Sequence, residues 1–338
     1  MRIVSLLPSA TEIVCALGLR DELVGISHRC DYPPEIEGVA VVTRPIAGRA
    51  APGGRAAPGG RAAPGGRAAP GGRAAPDALE EADAEAGAHP AALAATGGDE
   101  LGLSELDRAV LLATAPDLVV VRDGGLGPGP RQIEAAFVGA DVAPEIVTPD
   151  PVTLEGVFNS ITTIGAMTES EDAAVELLEA LREDVGEIEQ EVLARHDQGL
   201  RPKRIVVLEG LSPLMASGRW VPEQVRRSGG WDLLGREGEP ACPTTWEEIR
   251  DVDPEMLMLA PAGLTLRETQ AVWRETERPA FWDELVAVRR GQVFFLEPVY
   301  FSRPGPRVVD GIGMLAEIFD PDGFVDTSPP DSWTVLLE

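Results

Sequence analysis

Between residues 153 and 194 the sequence holds a helical period longer than a single small lobe requires, and this stretch constrains the fold more than any other feature. Leu154, Val157, Phe158, Ile161 and Ile164 share one stripe, which Leu177, Leu178, Leu181, Val185, Ile188 and Val192 continue. Ser170 and the acids that follow it have the chemistry of a fresh N-cap, so the pattern predicts a short helix and then a long one.

On both sides of this rod, strands and helices alternate. Residues 3–7 read as a buried strand, and Ser9-Ala10-Thr11-Glu12 has the spacing of a capping box. The helix it predicts carries Ile13, Val14, Ala16 and Leu17 and stops at Gly18, before a second strand at 23–26. Further strands are expected at 117–121 and 145–148, then at 204–208, 255–259 and 292–296 beyond Gly199. Helices are expected near 131–138, 222–228, 264–275 and 306–319. A β-α-β opening implies parallel pairing. The expected fold is therefore α/β, with two Rossmann-like lobes joined by a long rigid interdomain helix. The boundaries that follow are 1–47 plus 99–150 for the first lobe, 151–198 for the helical segment, 199–325 for the second lobe and 326–338 for a tail.

Residues 48–98 interrupt the first lobe. Arg-Ala-Ala-Pro-Gly-Gly repeats four times in full from Arg49 to Gly72, ahead of an acidic tract with Asp77, Glu80, Glu81, Asp83 and Glu85. Such a low-complexity repeat has too little apolar surface to offset the entropy of ordering it, so this insertion is expected to be disordered.

The net charge of −27, with Lys203 as the sole lysine, argues against nucleic-acid binding, which needs clustered cations. The spread of acids over both halves is instead the composition of a halophilic-type solvated surface. No run of 18 apolar residues is present to span a bilayer. Residues 1–8 are too short for a secretory core and Cys15 lacks small residues before it, which implies a cytoplasmic chain as written, or an extracytoplasmic one if the true start lies upstream. Cys15, Cys30 and Cys242 are odd in number and lack metal-ligand spacing, so neither a disulfide framework nor a zinc site is expected.

His28, Cys30 and Asp31 are close enough to suggest a catalytic or metal set, the enzyme alternative for this chain. His89 and His196 are poorly placed to complete it, and no G-x-S-x-G or H-E-x-x-H occurs. Gly124-Gly125-Leu126-Gly127 lacks dinucleotide-binding spacing. The reading is of a non-enzyme without a prosthetic group.

Four motifs in this order resemble the helix-linked substrate-binding proteins of ABC importers, specifically their cobalamin (vitamin B12) branch. They are Ser5-Leu6-Leu7-Pro8-Ser9-Ala10-Thr11-Glu12, His28-Arg29-Cys30-Asp31-Tyr32-Pro33-Pro34, Gly218-Arg219-Trp220-Val221-Pro222-Glu223, and Tyr300-Phe301-Ser302-Arg303-Pro304-Gly305-Pro306-Arg307. The resemblance implies a monomer that binds a corrinoid in a cleft between the lobes and delivers it to an ABC permease; a cytosolic corrinoid carrier is the alternative. It implies ligand contacts from Tyr32, Pro33, Asp123, Gly124, Trp220, Trp246, Tyr300, Phe301 and Arg303. Tyr32 and Tyr300 are the only tyrosines, and both fall in loops expected at the cleft, where aromatic faces give wide contact area at low rotamer cost. Permease docking is implied at Asp107 and Glu247, with Glu105 and Glu248 beside them. Where the branch usually has aromatic residues, this chain has Arg122-Asp123-Gly124-Gly125 and Glu209. That substitution suits a more polar ligand, such as another corrinoid, a haem-like ring or an iron chelate.

Overall fold

A computed structural model describes residues 1–46, 104–123 and 127–336. The Arg-Ala-Ala-Pro-Gly-Gly insertion and Gly124 lie outside them.

The first lobe is built on a strand that is buried on both faces, as a central parallel strand must be. Strand β1 (Ile3–Ser5) leads into helix α1 (Pro8–Ala16) and then β2 (Leu23–Ile26), β3 (Ala40–Val41) and β4 (Thr43–Pro45). After the insertion come β5 (Ser104–Leu106), α2 (Arg108–Thr114), β6 (Leu118–Val120), α3 (Pro130–Ala136) and β7 (Glu145–Val147). The sheet runs β3-β2-β1-β6-β7, all parallel. Because the chain leaves β1 to one side and returns on the other, the crevice between the carboxyl ends of β1 and β6 is a topological switch point. Strands β4 and β5 pair antiparallel as a separate two-stranded sheet.

The helical segment breaks where the sequence predicts. Helix α4 (Leu154–Met167) is capped by the Thr153 hydroxyl, which accepts from the Gly156 amide, and α5 spans Glu171–Asp197. Its 27 residues make a rod of about 40 Å. Acids open α5 and Arg195 and His196 close it, matching the helix dipole. Ser170 takes the N-cap position, although its hydroxyl bonds the Thr168 carbonyl and no helix amide. The joint is tight: a Cβ on Gly165 would lie 2.6 Å from that of Ala174.

The second lobe contains β8 (Lys203–Leu211), β9 (Leu214–Ala216), β10 (Gly218–Arg219), α6 (Val221–Arg227), β11 (Gly230–Asp232), β12 (Arg236–Glu237), β13 (Cys242–Pro243) and α7 (Trp246–Val252). It continues with β14 (Met256–Leu259), α8 (Leu266–Glu275), α9 (Val286–Arg289), β15 (Val293–Leu296), α10 (Val299–Ser302), α11 (Val308–Phe319) and β16 (Trp333–Val335). The main sheet has the order β13-β9-β8-β14-β15-β16, with β11 also on β8. Strand β16 pairs antiparallel with β15, so the stretch expected to be a tail closes one edge of this sheet.

The expected capping box at Ser9 and Glu12 does not form. Pro8 occupies the first turn of α1, Leu7 is the N-cap, and no side chain caps the helix. Both residues lie within the helix, and Glu12 is free to turn toward the second lobe. A continuous core runs from Ile13 of α1 through Ile161 and Leu181 of the rod to Trp220, Phe301 and Ile312 of the second lobe.

Candidate functional site at the lobe interface

The two lobes meet at the carboxyl ends of their strands through an ionic cluster. Glu12, 4% exposed, receives the Arg307 guanidinium through both carboxylate oxygens, with the Nε contact at 2.9 Å. Arg303, 6% exposed, reaches Glu12 at 3.5 Å and forks onto Asp31 at 2.5 and 3.0 Å. Guanidinium planarity makes such bidentate grips possible and sets the mutual register of the two lobes.

The two tyrosines come together here. The Arg307 guanidinium stands 4.2 Å from the centroid of the Tyr32 ring and 5.8 Å from that of Tyr300. Tyr32 comes from the first lobe and is 43% exposed, whereas Tyr300 comes from α10 of the second and is half-buried. Burial raises the Tyr300 phenol above its ordinary range, with Arg307 opposing the shift. The rings therefore flank a cation, with attraction to the ring quadrupoles holding it in place. Arg307, which the sequence shows only as the last residue of the Tyr300 motif, is the group that meets both rings. Pro33 follows Tyr32 through a cis peptide.

A second ionic group lies at the switch point. Arg122, just past β6, meets Asp150 at 3.4 Å, and Arg219 on β10 meets the same carboxylate at 3.7 Å. Between these clusters is a closed crevice bordered by Ser9, Ala10, Pro149, Pro151 and Pro304, with no internal room for even a water molecule. Pockets for drug-sized ligands are roughly 300–1,000 Å³. A corrin or porphyrin therefore needs the lobes to part or must sit across the outer mouth. Behind Arg219, burial pushes the Glu209 carboxyl up to about 8, although the Gly218 amide donates to it at 2.9 Å. Burial likewise pushes Asp232 up to about 6, against the Ser217 hydroxyl that donates to it at 2.5 Å.

Other expected contacts lie elsewhere. Trp220 and Phe301 are core residues, 2% and 1% exposed, and the Trp220 indole donates to the Phe301 carbonyl at 2.9 Å. Their position is a correction to the expected cleft wall: the loop motif that carries them folds inward because both rings complete the second-lobe core. Trp246 is corrected likewise. It opens α7 behind a Thr245/Glu248 capping box and stacks edge-on with Trp273 and Trp282 at 6.2 and 5.5 Å. Asp123 is exposed beside Arg122.

The possible catalytic set is dispersed among structural partners. The His28 Nδ1 lies 2.8 Å from the Thr43 hydroxyl, the Cys30 sulfur accepts from Thr11, and Asp31 is committed to Arg303. Burial, with help from Arg29, lowers the His28 pKa. Among the implied docking acids, Asp107 caps α2 by accepting from Val110, Glu105 pairs with Arg44, and Glu248 serves in its capping box. Glu247 is exposed in the first turn of α7.

Among the described residues, no helix is long and apolar enough to cross a membrane. Comparison with known proteins agrees with this architecture. The chain is 21% identical over 327 residues to the uncharacterized ABC transporter substrate-binding lipoprotein YvrC of Bacillus subtilis, covering 96% of this chain and 81% of that protein. It is 21% identical to the vitamin B12-binding protein of Vibrio parahaemolyticus, covering 94% of this chain and 89% of the other. Its fold matches that of a periplasmic heme-binding protein from Pseudomonas aeruginosa with a TM-score of 0.63 at 18% identity, covering 95% and 93% of the two chains. A family model described as periplasmic binding protein matches residues 105–300, more than half of the 338 residues, so this chain belongs to that non-catalytic, ligand-binding family of ABC transport.

Proposed function

We propose that the chain captures a cobalamin-like corrinoid, or a related metal chelate such as a haem, between its lobes and presents it to an ABC permease. The observation that carries this reading is the pair of phenol rings, one from each lobe, that meet a single guanidinium where the lobes join. When the lobes part, those rings offer two faces to a broad planar ligand, and Arg303 and Arg307 offer donors to its peripheral amides or acids. The names of two relatives, one binding vitamin B12 and one heme, support a large macrocycle. For the permease contact, Glu247 is the acid with no capping duty, and Asp107 and Glu105 form the matching edge of the first lobe.

The test is an absorbance titration of the full chain in high salt with cyanocobalamin, haemin and a ferric hydroxamate. Saturation near one equivalent of one chelate, weakened at least about tenfold by Tyr32→Ala or Tyr300→Ala, is the expected result. Failure of all three to bind sinks the reading.

A further inference from the structure

We infer that the ligand carries at least one carboxylate, which Arg122 and Arg219 receive together in the place now taken by Asp150. This deepens the inter-lobe reading and rests on it. Arg122 comes from the first lobe at the switch point, and Arg219 comes from the second. Their side chains are only 8% and 13% exposed, yet both turn to the same carboxylate, whose own side chain is 59% exposed.

The contacts at 3.4 and 3.7 Å are longer than the roughly 2.7–2.9 Å of charge-assisted hydrogen bonds. Asp150 therefore marks where an anion meets both guanidinium groups. Arg219 holds a left-handed backbone, φ 54°, uncommon for a side chain of this size, and its guanidinium also donates to the Pro151 carbonyl at 3.4 Å. Pro149 and Pro151, on either side of Asp150, border the crevice, so the segment carrying the carboxylate that both guanidinium groups meet runs along it.

A ligand carboxylate entering there displaces an exposed, loosely held side chain and is gripped by one arginine from each lobe. Binding then ties the lobes together. A ligand with only neutral amides gains hydrogen bonds from this pair but no charge pairing, so the site favours acid-bearing macrocycles over amide-bearing ones.

Three probes separate the possibilities: haemin, haemin dimethyl ester and cyanocobalamin, titrated against the native chain and against Arg122→Gln, Arg219→Gln and Asp150→Asn. Loss of one partner from a buried charge pair predicts that haemin binds about 30-fold or more tightly than its diester. Either arginine variant should erase that difference while leaving ester binding and the circular dichroism spectrum unchanged. Asp150→Asn, which removes the internal competitor, should tighten haemin several-fold; weaker haemin binding would mean that Asp150 is a structural counter-ion and would overturn the inference. Equal affinity for haemin and diester, or cobalamin binding that ignores both arginines, overturns the inference and leaves the inter-lobe reading intact. If no probe binds, the reading and the inference fall together.

Discussion

Glu12→Gln removes one negative charge from the cluster that joins the lobes, and the structure fixes what that should cost. The Glu12 side chain is 3% exposed, and its partners Arg303 and Arg307 are 7% and 16% exposed, so solvent screens little of the interaction. Breaking a buried pair from one side typically costs about 3–5 kcal/mol, because a charge is left without its counter-ion. Two features reduce that figure here. Arg303 keeps its fork on Asp31, and Arg307 keeps the faces of Tyr32 and Tyr300, worth roughly 0.5–2 kcal/mol. The expected loss is about 2–3 kcal/mol, or some 4–6 °C in melting temperature at roughly 2 °C per kcal/mol. Differential scanning calorimetry in constant salt measures it. The double variant Glu12→Gln with Arg307→Met should lose less than the sum of the single changes, by about 2 kcal/mol, since no charge remains stranded. A Glu12→Gln melting point within about 1 °C of native, or strict additivity in the double variant, would refute the assignment of Glu12 as the buried counter-ion.

Glu209 and Asp232 both have folded-state pKa values raised by burial, so the folded chain holds protons that the unfolded chain releases. Their contribution is full below the ordinary carboxylate range and is lost as pH rises through about 6 and then about 8; Glu209→Gln should flatten the decline of melting temperature over that interval. Asp320 runs the other way: bonded to Arg195, it has a lowered pKa, and its contribution fades as pH falls through that depressed value, which Asp320→Asn should abolish in an acid titration. Gly165→Ala forces a methyl against Ala174 at the helix joint and should cost about 1–3 kcal/mol in thermal unfolding, with no change at a distant site such as the Trp246 cluster fluorescence. Trp246→Phe should leave ligand affinity unchanged, because that ring packs on Trp273 and Trp282, away from the crevice. With a net charge of −27, the chain should lose structure on dilution into low salt as screened repulsions emerge; a circular dichroism signal indifferent to salt would refute the halophilic reading.

The larger elements were written plainly in the sequence because each buries an unbroken apolar set. Strand β2 appears at residues 23–26 as expected, and β8, β14 and β15 differ from expectation mainly at their ends. Two-residue strands such as β3, β10, β12 and β13 were not visible, since their pairing depends on neighbours remote in sequence. Capping illustrates the limit of a local motif. The S/T-x-x-E spacing occurs at Ser9, Thr245 and Thr265; it forms a capping box at the latter two, but Pro8 starts α1 before Ser9. At the site, the aromatic pair was readable from the rarity of tyrosine, but the cation between them was not. Arg307 meets Glu12 across 295 positions, and no local pattern encodes a contact at that separation. Arg122 was noticeable only as a charge standing where an aromatic residue was expected. The tryptophans misled because a ring beside a turn looks the same in sequence whether it faces a cleft or completes a core.

Both ends of the helical rod are fastened to the same side. The Leu154 amide at the head of α4 donates to Glu223 of the second lobe at 3.0 Å, Glu189 two-thirds of the way along α5 holds Arg227 at 2.8 Å, and Arg195 near its foot holds Asp320 at 2.5 Å. These three ties brace the rod against the second lobe, whereas the first lobe meets it through the apolar packing of α1 on α4. In hydrogen exchange, amides of α5 should slow and quicken in step with β8 and α11, while α1 follows its own course. An opening stroke is then expected to peel the apolar face of α1 from a rod held in place by its three polar anchors.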